Sequence, residues 1–248
     1  MSYNPFSLEN KTILITGASS GIGRATAIEC SRIGAKVVIT GRNAARLQET
    51  FSQLEGNGHI QLVADLSDEQ ELKILVEQTP IINGIVNNAG IGKTVPFKFI
   101  NQTEFDKIMQ TNFFAPVFLT QQLHKVKKLQ KGSSVVFISS ISTFAVGIGD
   151  SMYAASKGAI NAFVKTMAVE LAKQQIRVNY VQPGVVSTNI FESGIISEEQ
   201  LKEREQKYPL GRFGKPEEIA YAAIYFLSDA SIWVTGSNLV IDGGYTLL

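Results

Sequence analysis

Thr12-Ile13-Leu14-Ile15-Thr16-Gly17-Ala18-Ser19-Ser20-Gly21-Ile22-Gly23 is the stretch that decides the fold. Its first five residues are apolar or β-branched, the composition of a buried strand. Three glycines follow in a turn, and a helical pattern then runs through Ile33. Glycine permits the tight turn and lets backbone approach a phosphate closely. The start of a helix adds free N–H groups and the positive end of its dipole. An ordinary strand–helix loop is the competing reading, made less apt by three glycines at this spacing. The turn alone names no chemistry.

The same alternation continues outward. Strands are predicted over residues 12–16, 36–40, 60–64, 84–87, 134–139, 177–181 and 238–241. Helices are predicted over 22–33, 44–54, 69–77, 103–123, 152–173 and 216–228. Short apolar runs separated by helical patterns imply a parallel sheet covered on both faces. The fold class is therefore α/β: a parallel sheet of about seven strands with helices on both faces, in a single domain spanning 1–248. Two stretches resist the pattern, 141–151 and 187–214, the second containing a charged segment over 197–207 read as helical. Both follow strand ends, where open α/β sheets bind ligands. The longer is read as a substrate lid.

Composition bounds the rest. A chain of 248 residues, 44% hydrophobic, can bury a large core in one domain. The net charge of +1 offers no strong field for nucleic acid. The single cysteine, Cys30, cannot form an internal disulfide and reads as a small core residue. His59 and His124 are isolated, so no metal site is expected. No apolar run approaches the ~18 residues that span a bilayer, and the first ten residues lack a signal-peptide pattern. A cytoplasmic protein without a membrane partner is expected.

Chemistry concentrates at residues 139–157. Tyr153 and Lys157 are four apart, on one helical face. A neighbouring ammonium favours the phenolate, which should bring the Tyr153 pKa down from ~10 toward the range of a general acid/base. Ser140 lies upstream across a loop that can fold its hydroxyl toward the phenol. Two hydroxyls and a lysine suit proton transfer at a carbonyl oxygen. A Tyr-x-x-x-Lys pair by itself is also what a solvated helix face carries by chance.

Taken together, Thr16–Gly23, Asp65, Asn87–Gly90, Asn112, Ser140, Tyr153, Lys157, Pro183-Gly184 with Thr188, and Ile241–Gly244 resemble the single-domain short-chain dehydrogenase/reductase family. Each piece is moderately specific, and all of them in this order are highly so. The resemblance implies a Rossmann-type, doubly wound sheet in the order 3-2-1-4-5-6-7 and a catalytic set of Asn112, Ser140, Tyr153 and Lys157. Tyr153 would move the proton. Lys157 would also bind the nicotinamide ribose, Ser140 would hold the substrate oxygen, and Asn112 would hold a water linking Lys157 to solvent. Ser139 is adjacent to Ser140, and only the spacing of Ser140 from Tyr153 favours it. The competing reading of Asn112 is that it satisfies a helix kink near Pro116.

Cofactor contacts are implied at Gly17, Ser19, Ser20, Gly21, Ile22, Gly23, Asp65, Leu66, Asn88, Ala89, Gly90, Tyr153, Lys157, Pro183, Gly184, Val186 and Thr188. Asp65 would accept from the adenine amine or simply cap Ser67-Asp68. Asn87–Gly90 would wall the adenosine or stabilise the sheet, and Thr188 would hold the nicotinamide carboxamide. NAD-binding folds usually place an acid after the second strand. Here Gly41 is followed by Arg42, whose guanidinium suits a 2′-phosphate, so NADP(H) is expected over NAD(H). Arg24 is a second candidate phosphate contact.

The substrate side is read as Ser140, Ser142, Phe144, Tyr153 and Ile190, with Val146, Ile148, Phe191 and Ile195 nearby. The segment from Gly211 onward is similar to 3-oxoacyl-thioester reductases and also to sugar, polyol and steroid dehydrogenases. Lys125, Lys127, Lys128 and Lys131 could meet an acyl carrier protein or form a solvated helix end. Carrier-dependent relatives often have an arginine where this chain has Gln174. The competing classes are a non-catalytic NADP-binding sensor, which typically loses the Tyr or Lys, and an extended-branch epimerase or dehydratase. The resemblance implies a homotetramer, with the helices through Phe105–Leu123 and Tyr153–Lys173 forming one interface and the last helix and strand another.

Overall fold

The computed structural model describes residues 4–187 and 198–248. Seven strands form one parallel sheet: β1 (Thr12–Thr16), β2 (Lys36–Gly41), β3 (Ile60–Val63), β4 (Ile82–Asn87), β5 (Leu129–Ile138), β6 (Arg177–Pro183) and β7 (Asn238–Ile241). Their order across the sheet is β3-β2-β1-β4-β5-β6-β7, as the resemblance implied. The helices are α1 (Gly21–Arg32), α2 (Ala44–Phe51), α3 (Glu69–Gln78), α4 (Gln102–Met109), α5 (Ala115–Lys125), α6 (Ser151–Leu171), α7 (Glu198–Glu205) and α8 (Pro216–Leu227).

Strand periodicity sorts the core into two layers. Ile13 and Ile15 face α1 and α8, packing with Ala27, Cys30, Ala223 and Phe226. Leu14 points the other way, into a cluster with Leu75, Leu119, Val164 and Phe137. Burial, reinforced by the charge of Glu29, pushes the Cys30 thiol well above its ordinary pKa, which suits the core role.

Two differences from the expected elements have local causes. The helix expected over 103–123 is interrupted by a π turn at Gln110–Phe114. Pro116 has no N–H to give the carbonyl four residues back, and the Ala115 N–H bonds Gln110 five residues back instead. Strand β5 begins at Leu129, because its polar start, Gln130 and Lys131, is exposed and carries no apolar signal. Among the described residues no helix is long and apolar enough to cross a membrane.

Phe137 is 1% exposed at the centre of one core layer. Phe137→Ala should cost about 3–5 kcal/mol in urea unfolding. A loss under about 1 kcal/mol would contradict this placement.

Candidate active site

A parallel sheet brings every strand's carboxyl end to one edge, and the expected site residues that the structure describes lie along that edge. The glycine turn follows β1. Gly17 has φ 64°, a conformation open to glycine and strained for other residues. A Cβ on Gly23 would run into the Gly17 carbonyl and sit 2.5 Å from Asn88 Nδ2. Asn88 explains the crowding: its amide donates to the carbonyls of Thr16 (3.1 Å) and Gly17 (3.3 Å). The Thr16 hydroxyl accepts from the N–H groups of Asn88 and Ala89, both at 3.0 Å. Asn88 and Ala89 therefore brace the turn itself. Ser20 precedes α1 and makes no side-chain capping bond there.

Arg24 does not stand free as a phosphate contact. Its guanidinium donates to Thr50 Oγ1, the Ser19 carbonyl and Glu49, tying α1 to α2. Arg42 is different: it is exposed, and its nearest charged partner is Asp65 at 3.8 Å. An exposed pair at that distance holds little energy. Asp65 accepts from the Ser67 N–H (2.9 Å) and hydroxyl (2.6 Å), so the capping role is real. Burial works against its charge, but the Ser67 bonds and Arg42 outweigh it and the pKa falls. Leu66 buries its side chain in the core, leaving only its backbone at the edge.

Asn112, Ser140, Tyr153 and Lys157 come together where β4, β5 and α6 meet. Ser140 opens a 3-10 turn, Ile141–Thr143, and its hydroxyl accepts from the Ser142 N–H at 3.1 Å. That leaves its own proton free to donate, and the hydroxyl lies near enough to the Tyr153 phenol to draw its pKa down. Ser139 faces away, donating to Asn161 Oδ1 at 2.6 Å. Of the two serines, Ser140 is the one on the Tyr153 side of the turn. Asn112 is 2% exposed within the π turn. Its side chain pairs with Ile91 in both directions, accepting at 2.8 Å and donating at 2.9 Å, and also donates to Ser156. It locks the segment after β4 to α6. Gly90 closes this corner: a Cβ there would sit 3.2 Å from Asn112 Oδ1 and 3.5 Å from Lys157 Nζ.

The electrostatics differ from the expectation in one respect. Lys157 Nζ lies 5.8 Å from the Tyr153 ring centroid and donates to the Ile138 carbonyl at 2.7 Å. Burial lowers its pKa to about 8. The Tyr153 pKa is raised rather than lowered: burial pushes it up, the Ser140 hydroxyl pulls it down, and Asp150 pushes it up again. Desolvation of the phenolate outweighs the charge of a lysine turned toward a strand carbonyl.

Beyond β6, Gly184 sits against Asp242, where a Cβ would come within 3.0 Å, and Val186 bridges to Gly214. Pro183 ends the strand. Thr188, Ile190, Phe191 and Ile195 lie outside the described residues. Ser142 is buried, its hydroxyl without a hydrogen bond. Phe144, half exposed, lines a cavity of about 540 Å³ with Val146, Lys207, Tyr245 and Thr246. Ile148 is almost fully exposed. Sequence reasoning missed Gln182 and Asn161, buried or half-buried amides behind the Ser140 turn. A glutamine inside an apolar strand just before Pro183 was the available signal. No cluster of three or more His, Cys, Asp or Glu that could hold a metal occurs among the described residues.

A family model described as enoyl-(acyl carrier protein) reductase matches residues 17–246. A solved structure described as a short-chain dehydrogenase/reductase family protein superposes with a TM-score of 0.88, at 33% identity over 97% of this chain and 99% of its own. The chain belongs to the short-chain dehydrogenase/reductase family. It is accordingly an oxidoreductase of that family, acting between carbonyl and CH–OH groups. A 3-oxoacyl-[acyl-carrier-protein] reductase of Thermotoga maritima is 35% identical over 97% of this chain and 99% of its own length. A structure from Agrobacterium tumefaciens, described as a 2-deoxy-D-gluconate 3-dehydrogenase with bound NADP, is 32% identical, with a TM-score of 0.89 over 99% and 100% of the two chains.

The Lys157 pKa carries a stability consequence. It falls from 10.5 to about 8 on folding, so between those values the unfolded chain holds a proton that the folded chain lacks. Stability should therefore rise with pH across that window. Urea unfolding of wild type and Lys157→Met should show a rise in the first that is absent from the second. Parallel curves would contradict the burial of a titrating ammonium.

Proposed function

We propose that the protein is an NADP(H)-dependent oxidoreductase that interconverts a ketone and a secondary alcohol, with Tyr153 as general acid/base. The observation that carries this is the Tyr153 phenol set near the Ser140 hydroxyl and beside the buried, strand-bound Lys157 at the carboxyl edge of the sheet. The donor set fits the cofactor. The first turn of α1, with the uncapped Ser20 and the neighbouring Ser19, presents N–H groups and hydroxyls suited to a pyrophosphate. Arg42 is exposed for a 2′-phosphate, and Asp65 beside it for the adenine amine. Backbone at Leu66, Asn88–Gly90 and Pro183–Val186 would border the rest. The relative with bound NADP supports the choice.

When bound, NADPH supplies the hydride to the carbonyl carbon. The Ser140 hydroxyl, oriented by the Ser142 N–H, holds the substrate oxygen. The Tyr153 phenol gives that oxygen its proton, completing the alcohol. Lys157 would stabilise the phenolate that remains and bind ribose hydroxyls. Asn112, with both polar atoms engaged by protein, acts first by fixing the geometry of this corner.

The acyl thioester class leads among substrates, supported by the Thermotoga relative. A sugar, polyol or steroid is the second reading, supported by the Agrobacterium neighbour for sugar acids. A carrier-protein partner has less behind it. Lys128 spends its ammonium on the carbonyls of Val76 and Glu77, and Gln174 pairs with His124. The 187–214 segment is read as the substrate lid. A homotetramer is the assembly we favour, supported by the exposed, mutually stacked Phe114 and Phe118 on the expected helix interface.

Tyr153→Phe should bind NADPH as wild type does while kcat falls by about 10²–10⁴-fold. Retention of about a tenth of the rate would remove the general-acid role. Arg42→Ala should raise the NADPH KM about ten-fold and leave the NADH KM nearly unchanged. Equal effects on both would remove the basis for the NADP preference. The substrate class is read by NADPH oxidation against acetoacetyl thioesters, enoyl thioesters, diketones, keto-sugars and ketosteroids. Turnover of the oxo-thioesters is the expected result. Turnover only of sugars would favour the second reading, and turnover only of enoyl thioesters would contradict the carbonyl chemistry.

A further inference from the structure

Ser140 is held by a polar assembly that no step of the reaction uses directly. Gln182 lies in β6, 2% exposed, on the same sheet face as Tyr180 and α6. Burying a primary amide costs free energy unless its hydrogen bonds are met. Here they are met by specific partners. Its Nε2 donates to the Ser140 carbonyl at 3.2 Å and to Thr143 Oγ1 at 2.9 Å. Its Oε1 accepts from Asn238 Nδ2 of β7 at 2.9 Å.

The turn itself closes the circuit. Thr143 Oγ1 donates to the Ser140 carbonyl at 3.1 Å and accepts from Asn161 Nδ2 of α6 at 3.2 Å. Asn161 in turn accepts from Ser139 at 2.6 Å. The Ser140 backbone is thus gripped from β6 and, through Thr143, from α6. Its hydroxyl accepts from the Ser142 N–H of the same turn. The direction in which that hydroxyl points follows from where the turn is held.

We propose that Gln182, anchored by Asn238, is a positioning residue that sets the orientation of the Ser140 hydroxyl toward Tyr153. The proposal rests on the carbonyl reduction put forward above, in which Ser140 holds the substrate oxygen. Gln182 touches neither substrate nor cofactor in this account. It acts by registering the 3-10 turn against two strands. A purely structural role would lower stability and leave the phenol indifferent. A positioning role must reach Tyr153, because the Ser140 hydroxyl is what pulls the phenol's pKa down against burial. With that hydroxyl displaced, burial acts unopposed and the phenol titrates at higher pH.

The test is Gln182→Met, an apolar replacement of similar length that keeps the strand packed. Asn238→Ala serves as the partial variant. Two readouts are taken together: kcat and NADPH KM on the best substrate, and phenolate absorbance during pH titration, with Tyr153→Phe subtracted. The expected result is a kcat lower by about 10–100-fold with NADPH KM unchanged, and a Tyr153 titration displaced to higher pH. Asn238→Ala should move both in the same direction by less. Unchanged kcat and titration would overturn the proposal. So would a lowered melting temperature with the titration where it was. Absence of turnover on every substrate by wild type would overturn the proposed reaction instead, and the titration would still decide the role of Gln182.

Discussion

The parallel sheet imposes the constraint on which everything else rests: all strands end at one edge, so whatever follows them must be fastened there. The Thr16 hydroxyl is the first fastening. It accepts two backbone N–H groups after β4 and so joins the ends of two neighbouring strands. Asn88 returns the favour by holding the carbonyls of the glycine turn. Further along, Asn112 ties the segment after β4 to α6, and Gln182 ties the segment after β5 to β7. These are buried side-chain-to-backbone bonds in a low-dielectric setting, where satisfied networks rigidify what they touch.

Two ionisable groups sit inside that frame at evident cost. Lys157 is 5% exposed with its ammonium on a strand carbonyl, and burial alone lowers its pKa. Tyr153 is held neutral by the same desolvation. A core built only for stability would place apolar groups there. Perturbed groups of opposite tendency at a sheet edge are the arrangement expected where protons are moved. The phenol and the ammonium both keep their protons near neutral pH, ready for a reaction in which negative charge develops on the phenol oxygen.

Much of this was legible in the sequence because it depends on short-range patterns. The strand–glycine–helix signal of residues 12–33 survives any tertiary context, and the Tyr153–Lys157 spacing needs only a helix. The π turn at Gln110–Phe114 was hidden, since a helical period continues through it and only the missing N–H of Pro116 betrays it. The start of β5 was hidden by exposure: Gln130 and Lys131 face solvent. Arg24 and Lys128 read as free cations, yet each is spent on carbonyls brought near by the fold. Gln182 was hidden for the opposite reason, because a polar residue in a buried strand gains its meaning only from partners 39–56 positions away. The direction of the Tyr153 shift depended on how deeply the phenol is buried, which spacing does not report.

The most direct test of the account is isotope transfer from NADPH deuterated at the transferable C4 position, run with the wild-type enzyme on the oxo-thioester, keto-sugar and ketosteroid substrates. The account predicts deuterium on the carbinol carbon of the product and a solvent-derived proton on its oxygen. Tight binding of the labelled cofactor with no deuterium delivered to any carbonyl carbon would contradict it and leave a cofactor-binding sensor as the better description.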